Sequence, residues 1–192
     1  MNKYGKILLI GSLLWYFGEG MLGPLFTVFA QQVGGDVLEI TSAWAIYLIV
    51  LGVLTIIVGK YSDKMDKEKL MIAGYGLNAI FTFGYLFVND AISLFLVQAG
   101  LGFATALATP TWNALFAKSY DQSKDGSAWG IADGLPRIVT AIGIILGGLI
   151  VTFFSFTVLF VSMGIIQLIA AFYQALALKQ LKKKNNSKRK KK

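Results

Sequence analysis

Three ionisable side chains lie inside stretches of the sequence that are otherwise apolar. Glu19 has glycine on both sides, and Asp133 and Arg137 lie four residues apart in a second stretch. A charge at the centre of a bilayer costs about 2.5–3.5 kcal/mol on insertion scales, so such residues usually pair with one another or mark a transport pathway. Glu19 could therefore hold a proton or a cationic solute. Asp133 and Arg137 share a helical face and could neutralise each other.

The residue types that are missing exclude several kinds of chemistry. The sequence has no cysteine and no histidine. It therefore has no disulfide framework, no thiol nucleophile and no histidine to act as the usual general base or the commonest metal ligand. A phosphate-binding loop of the kind found in ATP-driven pumps is also missing. We predict that the protein is not an enzyme, and we expect neither a cofactor nor a metal.

The composition indicates a protein whose solvent is a membrane. The chain is 56% hydrophobic and only 15% charged, whereas soluble domains carry about 25% charged residues. A helix of about 20 apolar residues crosses a bilayer, and six stretches are long enough. We therefore predict an all-α membrane protein with six transmembrane helices. The predicted spans are residues 7–30, 41–59, 70–88, 91–117, 129–154 and 157–178, followed by a disordered basic tail over residues 179–192.

The basic residues predict how the spans are oriented. If both termini are cytoplasmic, all but one of the 18 lysines and arginines lie on the cytoplasmic side, and Arg137 is the exception. Lysine and arginine accumulate in cytoplasmic loops, so we expect a multi-pass protein of the cell (inner) membrane. The basic tail is expected to lie against anionic lipid headgroups rather than nucleic acid.

The connection after the second span carries a recognisable motif. It reads Gly59-Lys-Tyr-Ser-Asp63-Lys64-Met-Asp66-Lys67 and resembles the loop signature of the major facilitator superfamily. Gly59, Asp63, Lys64 and Lys67 are in register with that signature, and Asp66 replaces a glycine. The segment Gln98-Ala-Gly100-Leu-Gly102 and the glycines near residue 147 resemble the fourth and fifth helices of the family.

The resemblance implies a fold and a function. It implies the N-terminal half of the family's twelve-helix fold, a six-helix bundle built of two inverted three-helix repeats. It also implies secondary transport of a small solute by alternating access, with efflux and a coupling proton within the family's range. The working unit would be a homodimer or a pair with a second six-helix half. Two alternatives remain open, a membrane scaffold that transports nothing and a truncated or split half of a longer transporter.

The resemblance also suggests roles for individual residues. The first and fourth helices of the family line its cavity, so Gln98, Thr105 and Tyr16 are candidates for solute contact. Hydrogen bonds between helices, or interfacial anchoring of Tyr16, are the alternatives. The first and fifth helices are neighbours, which would let Arg137 face Glu19 instead of Asp133. The loop aspartate, Asp63, would contact the other half of the transporter. Leu96 replaces the fourth-helix arginine of many proton-coupled members.

Overall fold

The architecture is entirely helical in the residues that the structure describes. It is a computed structural model that describes residues 1–189, with side chains through residue 179. Short 3₁₀ turns at Tyr85–Phe87 and Gln122–Lys124 join the longer elements. The α-helices are α1 Lys3–Leu22, α2 Leu25–Gln32, α3 Val37–Ser62, α4 Lys67–Gly84, α5 Ala91–Ala117, α6 Asp125–Phe153 and α7 Phe156–Arg189.

The predicted number of spans agrees with this architecture. Helices α3 to α7 are each long and apolar enough to cross a membrane, and α1 with α2 makes a sixth span if the bent pair counts as one. Backbone polar groups must be satisfied internally in hydrocarbon, which is why the apolar stretches are helical. The protein is therefore a multi-pass helical membrane protein.

Pro24 lies at a break between two helices, whereas the other two prolines lie inside continuous helices. The chain bends by 50° between α1 and α2, where Gly23 has a φ of 30° and Pro24 precedes the first residue of α2. Glycine and proline are the residue types that loosen a helix at such a point. Pro110 and Pro136 lie inside helices that continue without a break. Membrane helices tolerate proline where neighbouring helices and local adjustments satisfy the freed carbonyl.

The ends of the spans agree with prediction to different degrees. Helix α5 has the same bounds as the predicted fourth span. Helix α7 continues past residue 178 to Arg189, although a disordered tail was predicted from residue 179 onward. Lysine, glutamine and leucine are good helix formers, so a helix that has already been nucleated extends through them at low cost. Residues 190–192 of that predicted tail lie outside the described residues.

Acidic residues fix the starts of three helices. Asp36 and Glu39 form a reciprocal capping box at the start of α3, and Asp90 forms another with Ser93 at the start of α5. The hydrogen bonds from Ser93 lower the pKa of the Asp90 carboxyl. Asp66 accepts hydrogen bonds from the first-turn backbone of α4. These caps satisfy donors that the helix leaves unpaired and so set where each span begins.

The helices differ greatly in how much of each is covered. Helix α3 packs on α5, α6 packs on α1, and α4 and α7 pack on each other and on α5 and α1 respectively. Half of the most apolar segment of α5 is buried, against 11% for α3 and 17% for α6. Helices α3 and α6 are therefore outer members that each present an open face.

Candidate functional site: a cavity around Glu19

A cavity of about 220 Å³ lies between the helices, and each helix from α1 to α7 contributes to its wall. Such a site between helices is the usual place for a ligand in a helical bundle. Its lining residues are Tyr16, Glu19, Gly20, Leu22, Gly23, Phe26, Trp44, Tyr47, Thr82, Tyr85, Gln98, Leu101, Thr140 and Met163. Glu19 is the charged member of this set.

Close helix contacts hold Glu19 in place. A Cβ atom on Gly20 would come 2.7 Å from the carbonyl oxygen of Thr140 in α6, and one on Gly18 would come 2.8 Å from the amide of Gln167 in α7. Only glycine allows the backbones to come this close. The two glycines therefore let α1 pack tightly on two neighbours while Glu19, between them in sequence, turns towards the cavity.

Several neutral polar groups of the wall already have partners within the protein. The Tyr85 hydroxyl donates to Gln98 Oε1 at 3.1 Å, and the Thr82 hydroxyl donates to the Asn78 carbonyl at 2.7 Å. The Thr140 hydroxyl donates to the Tyr16 carbonyl at 3.4 Å. Gln98, one of the predicted contact residues, thus lies in the wall, but its side-chain oxygen is hydrogen-bonded to Tyr85. The carboxylate of Glu19 is the polar group that faces the cavity without an opposite charge.

Thr105 lies behind the wall rather than in it. Its hydroxyl donates to the Leu101 carbonyl at 2.9 Å, and it also pairs with the side chain of Tyr47. It can influence the cavity by orienting Tyr47, whose ring is part of the lining.

Aromatic rings form much of the wall, and most of them were not predicted from the sequence as contact residues. Trp44 and Tyr47 of α3 are stacked with ring centroids 5.4 Å apart, and Phe26 of α2 lies 6.0 Å from Trp44. The signal available in the sequence is that Trp44 and Tyr47, three residues apart, interrupt an otherwise aliphatic span. Tyr16, which the analysis named, lines this cavity and an adjoining one.

Asp133 and Arg137 lie in that adjoining cavity, which has a volume of about 520 Å³ and reaches the open face of α6. Both side chains are exposed. Among the residues whose side chains are described, the one ion pair closer than 4.0 Å joins Lys67 to Asp63. The structure therefore forms neither of the two predicted pairs, Asp133 with Arg137 or Glu19 with Arg137. Packing of α1 on α6 does bring the two spans together, but Arg137 points to the open face.

Small and charged residues share this open face. Gly130, Asp133, Gly134 and Arg137 follow the i, i+3, i+4, i+7 spacing of one helix face, and all but the half-buried Gly134 are exposed. A Cβ atom on Gly130 or on Gly134 would meet nothing within 4 Å. Charged side chains in a span do not stably face hydrocarbon. This face therefore needs a cover of protein or water.

The loop motif forms the turn between α3 and α4. Lys67 Nζ donates to Asp63 Oδ1 at 2.8 Å and to the Ser62 carbonyl at 2.9 Å. The hydrogen bond and charge of Lys67 lower the pKa of the Asp63 carboxyl. Asp66, the departure from the family pattern, caps α4. Gly59 has open space at its Cβ position, and Lys64 is exposed.

The acidic residues do not cluster as metal ligands would. No group of three or more carboxylates that could hold a metal ion occurs in the part of the chain that the structure describes. The chemistry available to the central cavity is therefore that of one carboxylate among aromatic rings.

The fold and the cavity define a class of protein, a multi-pass helical membrane protein with a solute-sized cavity between its spans. A model of the Major Facilitator Superfamily matches residues 8–192. The chain belongs to that family, whose members are transporters.

Curated relatives agree with this assignment at low identity. An uncharacterized MFS-type transporter of Methanocaldococcus jannaschii is 23% identical over 94% of this chain and 47% of its own length. A proton-coupled antiporter flippase, LtaA, of Staphylococcus haemolyticus is 26% identical over 95% of this chain and 48% of its own. The multidrug resistance protein MdtG of Enterobacter lignolyticus is 22% identical over 90% and 42%. The chain spans about half the length of these relatives.

Proposed function

We propose that the protein is a secondary active transporter that moves a small solute across the cell membrane by alternating access, in the direction of efflux. The observation that carries this proposal is the Glu19 cavity, because every span contributes to its wall and it contains a charge within the membrane. Relatives named for multidrug resistance and antiport make efflux the favoured direction. Alternating access requires a site between elements that can move relative to one another.

The pattern of helix contacts supports two inverted three-helix repeats. If the first three spans are exchanged with the last three, α1 takes the place of α5, α3 that of α6, and α4 that of α7. The α1–α6 contact then becomes the α5–α3 contact, and the α1–α7 contact becomes the α5–α4 contact. The α4–α7 contact maps onto itself. Repeats with this pseudosymmetry place the solute site at their interface, and the Glu19 cavity lies there.

Contacts at one end of the bundle support the predicted orientation. The backbone N–H of Asn2 donates to the Ser119 carbonyl at 2.9 Å, and the Tyr4 hydroxyl donates to Glu68 at 3.0 Å. The N-terminus, the α3–α4 turn and the α5–α6 connection therefore meet at one end. These are the lysine-bearing segments, and we assign that end to the cytoplasm.

We further propose that two copies of the chain pair through the open faces of α3 and α6. Three observations support a protein cover there, namely the exposed Asp133 and Arg137, the open glycines Gly130 and Gly134, and relatives of about twice this length. Small residues let helix backbones approach closely in lipid. Two copies inserted in the same direction could close the pair by a two-fold axis along the membrane normal. In such a pair Asp63 would contact the neighbouring copy.

Coupling to a proton would act through Glu19. It is the carboxylate in the cavity wall, and a relative is named as proton-coupled. A carboxyl group that binds either a proton or a cationic solute, but not both, exchanges one for the other by competition.

Transport is tested by solute accumulation in everted vesicles from cells that lack their own efflux pumps. The probes are ethidium, fluorescein and Nile red, which are respectively cationic, anionic and neutral. We expect wild-type chain to change the accumulation of at least one probe, Glu19→Gln to abolish that change, and the matched variant Glu39→Gln, in the exposed cap of α3, to retain it. If none of the three moves while the chain is shown to be folded in the membrane, the scaffold alternative is favoured.

A further inference from the structure

The walls of the Glu19 cavity have a composition that selects for charge type. Glu19 stands among five aromatic residues, Tyr16, Phe26, Trp44, Tyr47 and Tyr85, and no lysine or arginine is among the lining residues that the structure describes. We propose that this cavity binds an organic monocation of the quaternary ammonium type, with Trp44 as its main aromatic contact. This inference rests on the proposed transport function and names the solute class.

The carboxylate of Glu19 has no counter-charge among the described side chains, which argues against an anionic solute. No basic side chain lies within 4.0 Å of Glu19 among the described side chains. An anion would meet a like charge here, and a neutral solute could bind only with Glu19 neutralised by a proton. A cation supplies the missing charge.

The polar groups of the wall that are hydrogen-bonded within the protein argue against a solute rich in hydroxyls. Such a solute needs several free donors and acceptors in the wall. Here Tyr85 is bound to Gln98, and the Thr82 and Thr140 hydroxyls donate to backbone carbonyls. Binding a sugar-like solute would break these bonds before making new ones. An organic cation needs none of them.

The aromatic faces argue for an organic head group rather than an inorganic ion. The rings of Trp44 and Tyr47 lie with centroids 5.4 Å apart, and both rings line the cavity. The ring of Phe26 lies 6.0 Å from that of Trp44, tilted by 51°. Aromatic faces attract cations and recognise quaternary ammonium groups, by about 0.5–2 kcal/mol per contact and most strongly with tryptophan. A small inorganic ion needs several oxygen ligands, and the wall supplies one carboxylate.

Two probes of nearly the same shape separate charge from hydrophobicity. Phenyltrimethylammonium and tert-butylbenzene differ in having nitrogen or carbon at the branched centre, so the first carries a positive charge and the second does not. Binding to the purified chain in lipid nanodiscs is followed by the saturable change in tryptophan fluorescence and by the shift in melting temperature. We expect phenyltrimethylammonium to bind at least tenfold more tightly than tert-butylbenzene.

The variants assign the selectivity to particular side chains. Glu19→Gln should remove the preference for the charged probe, and Trp44→Leu should weaken its binding about 2- to 30-fold. Trp44→Phe keeps an aromatic face and should recover part of the loss. Asp133→Asn, which changes a carboxylate outside this cavity, should retain the preference. Each variant is first checked for a wild-type elution profile and helix content.

The outcomes also separate this inference from the transport proposal. Equal binding of the two probes, or a preference that survives Glu19→Gln, would overturn the cation site while leaving vesicle transport to be judged on its own. Charge-selective binding with no movement of ethidium, fluorescein or Nile red would keep the site and overturn transport.

Discussion

Helix α6 has two faces that use glycine in opposite ways. On its covered face, Cβ atoms on Gly143 and Gly147 would collide with the backbone of α1 around Phe17 and Met21. On its open face, Gly130 and Gly134 have nothing within 4 Å. The covered glycines are explained by contacts within this chain. The open ones, beside exposed Asp133 and Arg137, have no explanation within it and suggest a second bundle.

The same contrast occurs in the turn between α3 and α4. Asp66 is used within the chain, because it caps α4. Asp63 pairs with Lys67, and its side chain is otherwise exposed to solvent. Regions that the chain satisfies by itself should control its stability, and open regions should control its association. The following four experiments test that division.

The largest effect is expected on the covered face of α6. Gly147→Leu places a side chain where the Met21 backbone lies, and backbone cannot move aside as a flexible side chain can. We expect a loss of about 3 kcal/mol or more in unfolding free energy, measured by thermal unfolding in detergent. A variant with unchanged melting temperature would show that α1 and α6 do not pack as described.

On the open face, the matched substitution Gly130→Leu should act on association alone. Leucine at this position contacts nothing in the chain, so the melting temperature in detergent should stay at the wild-type value. Pairing in the membrane should weaken about tenfold, equivalent to about 1.4 kcal/mol. Cross-linking between copies, each carrying a single introduced cysteine on α3, measures it. Unchanged cross-linking in this variant would refute pairing through this face.

An intermediate effect is expected at the cap of α4. Asp66→Ala removes the acceptor for the backbone N–H groups of Glu68 and Lys69, and such a loss costs about 1 kcal/mol. Asp66→Gly, which restores the residue usual in the family motif, should cost only a few tenths of that value. Melting temperatures of the two variants provide the comparison. An Asp66→Ala variant with the wild-type melting temperature would mean that the carboxylate does not act as a cap.

The smallest effect is expected from Asp63, and it should depend on pH. Lys67 holds the pKa of the Asp63 carboxyl below its ordinary value of 3.8, so the ionised form is favoured in the folded state. The resulting stabilisation is present above pH 3.8 and is lost as the pH falls through the lowered pKa of the folded state. Asp63→Asn should therefore lower the melting temperature slightly at pH 7. It should leave the melting temperature unchanged at a pH below the folded-state pKa of Asp63. A difference that persists at low pH would assign the effect to something other than this ion pair.

The elements of the fold were largely predictable, and the pairing of their side chains was not. Helix α5 was predicted with its observed bounds because polar residues interrupt the sequence on both sides of a long apolar stretch. The residue types at Gly23 and Pro24 favour the bend that the structure has there. Pro110 carries the same local signal without a break, because its surroundings satisfy the backbone. The choice of partner for Arg137 depended on which way its helix face turns, which spacing within one helix cannot reveal.

The candidate site was predicted in part. Glu19, Tyr16 and Gln98 were named from the sequence and line the cavity. Trp44 and Tyr47 were missed, since an aromatic residue near the end of a span is usually an interfacial anchor. Only the packing of α3 on α5 brings these two rings to the same cavity as Glu19.

The sequence alone determined that this chain is a helical membrane protein, and it predicted six spans with the lysines at one end. Hydrophobicity, helix length and charge act locally, and each span must satisfy its own backbone. Tertiary structure decided which faces are covered and which carboxylate looks into a cavity. Those outcomes depend on how closely helices distant in sequence approach one another, and that distance is set by the packing of glycines and large side chains from both partners.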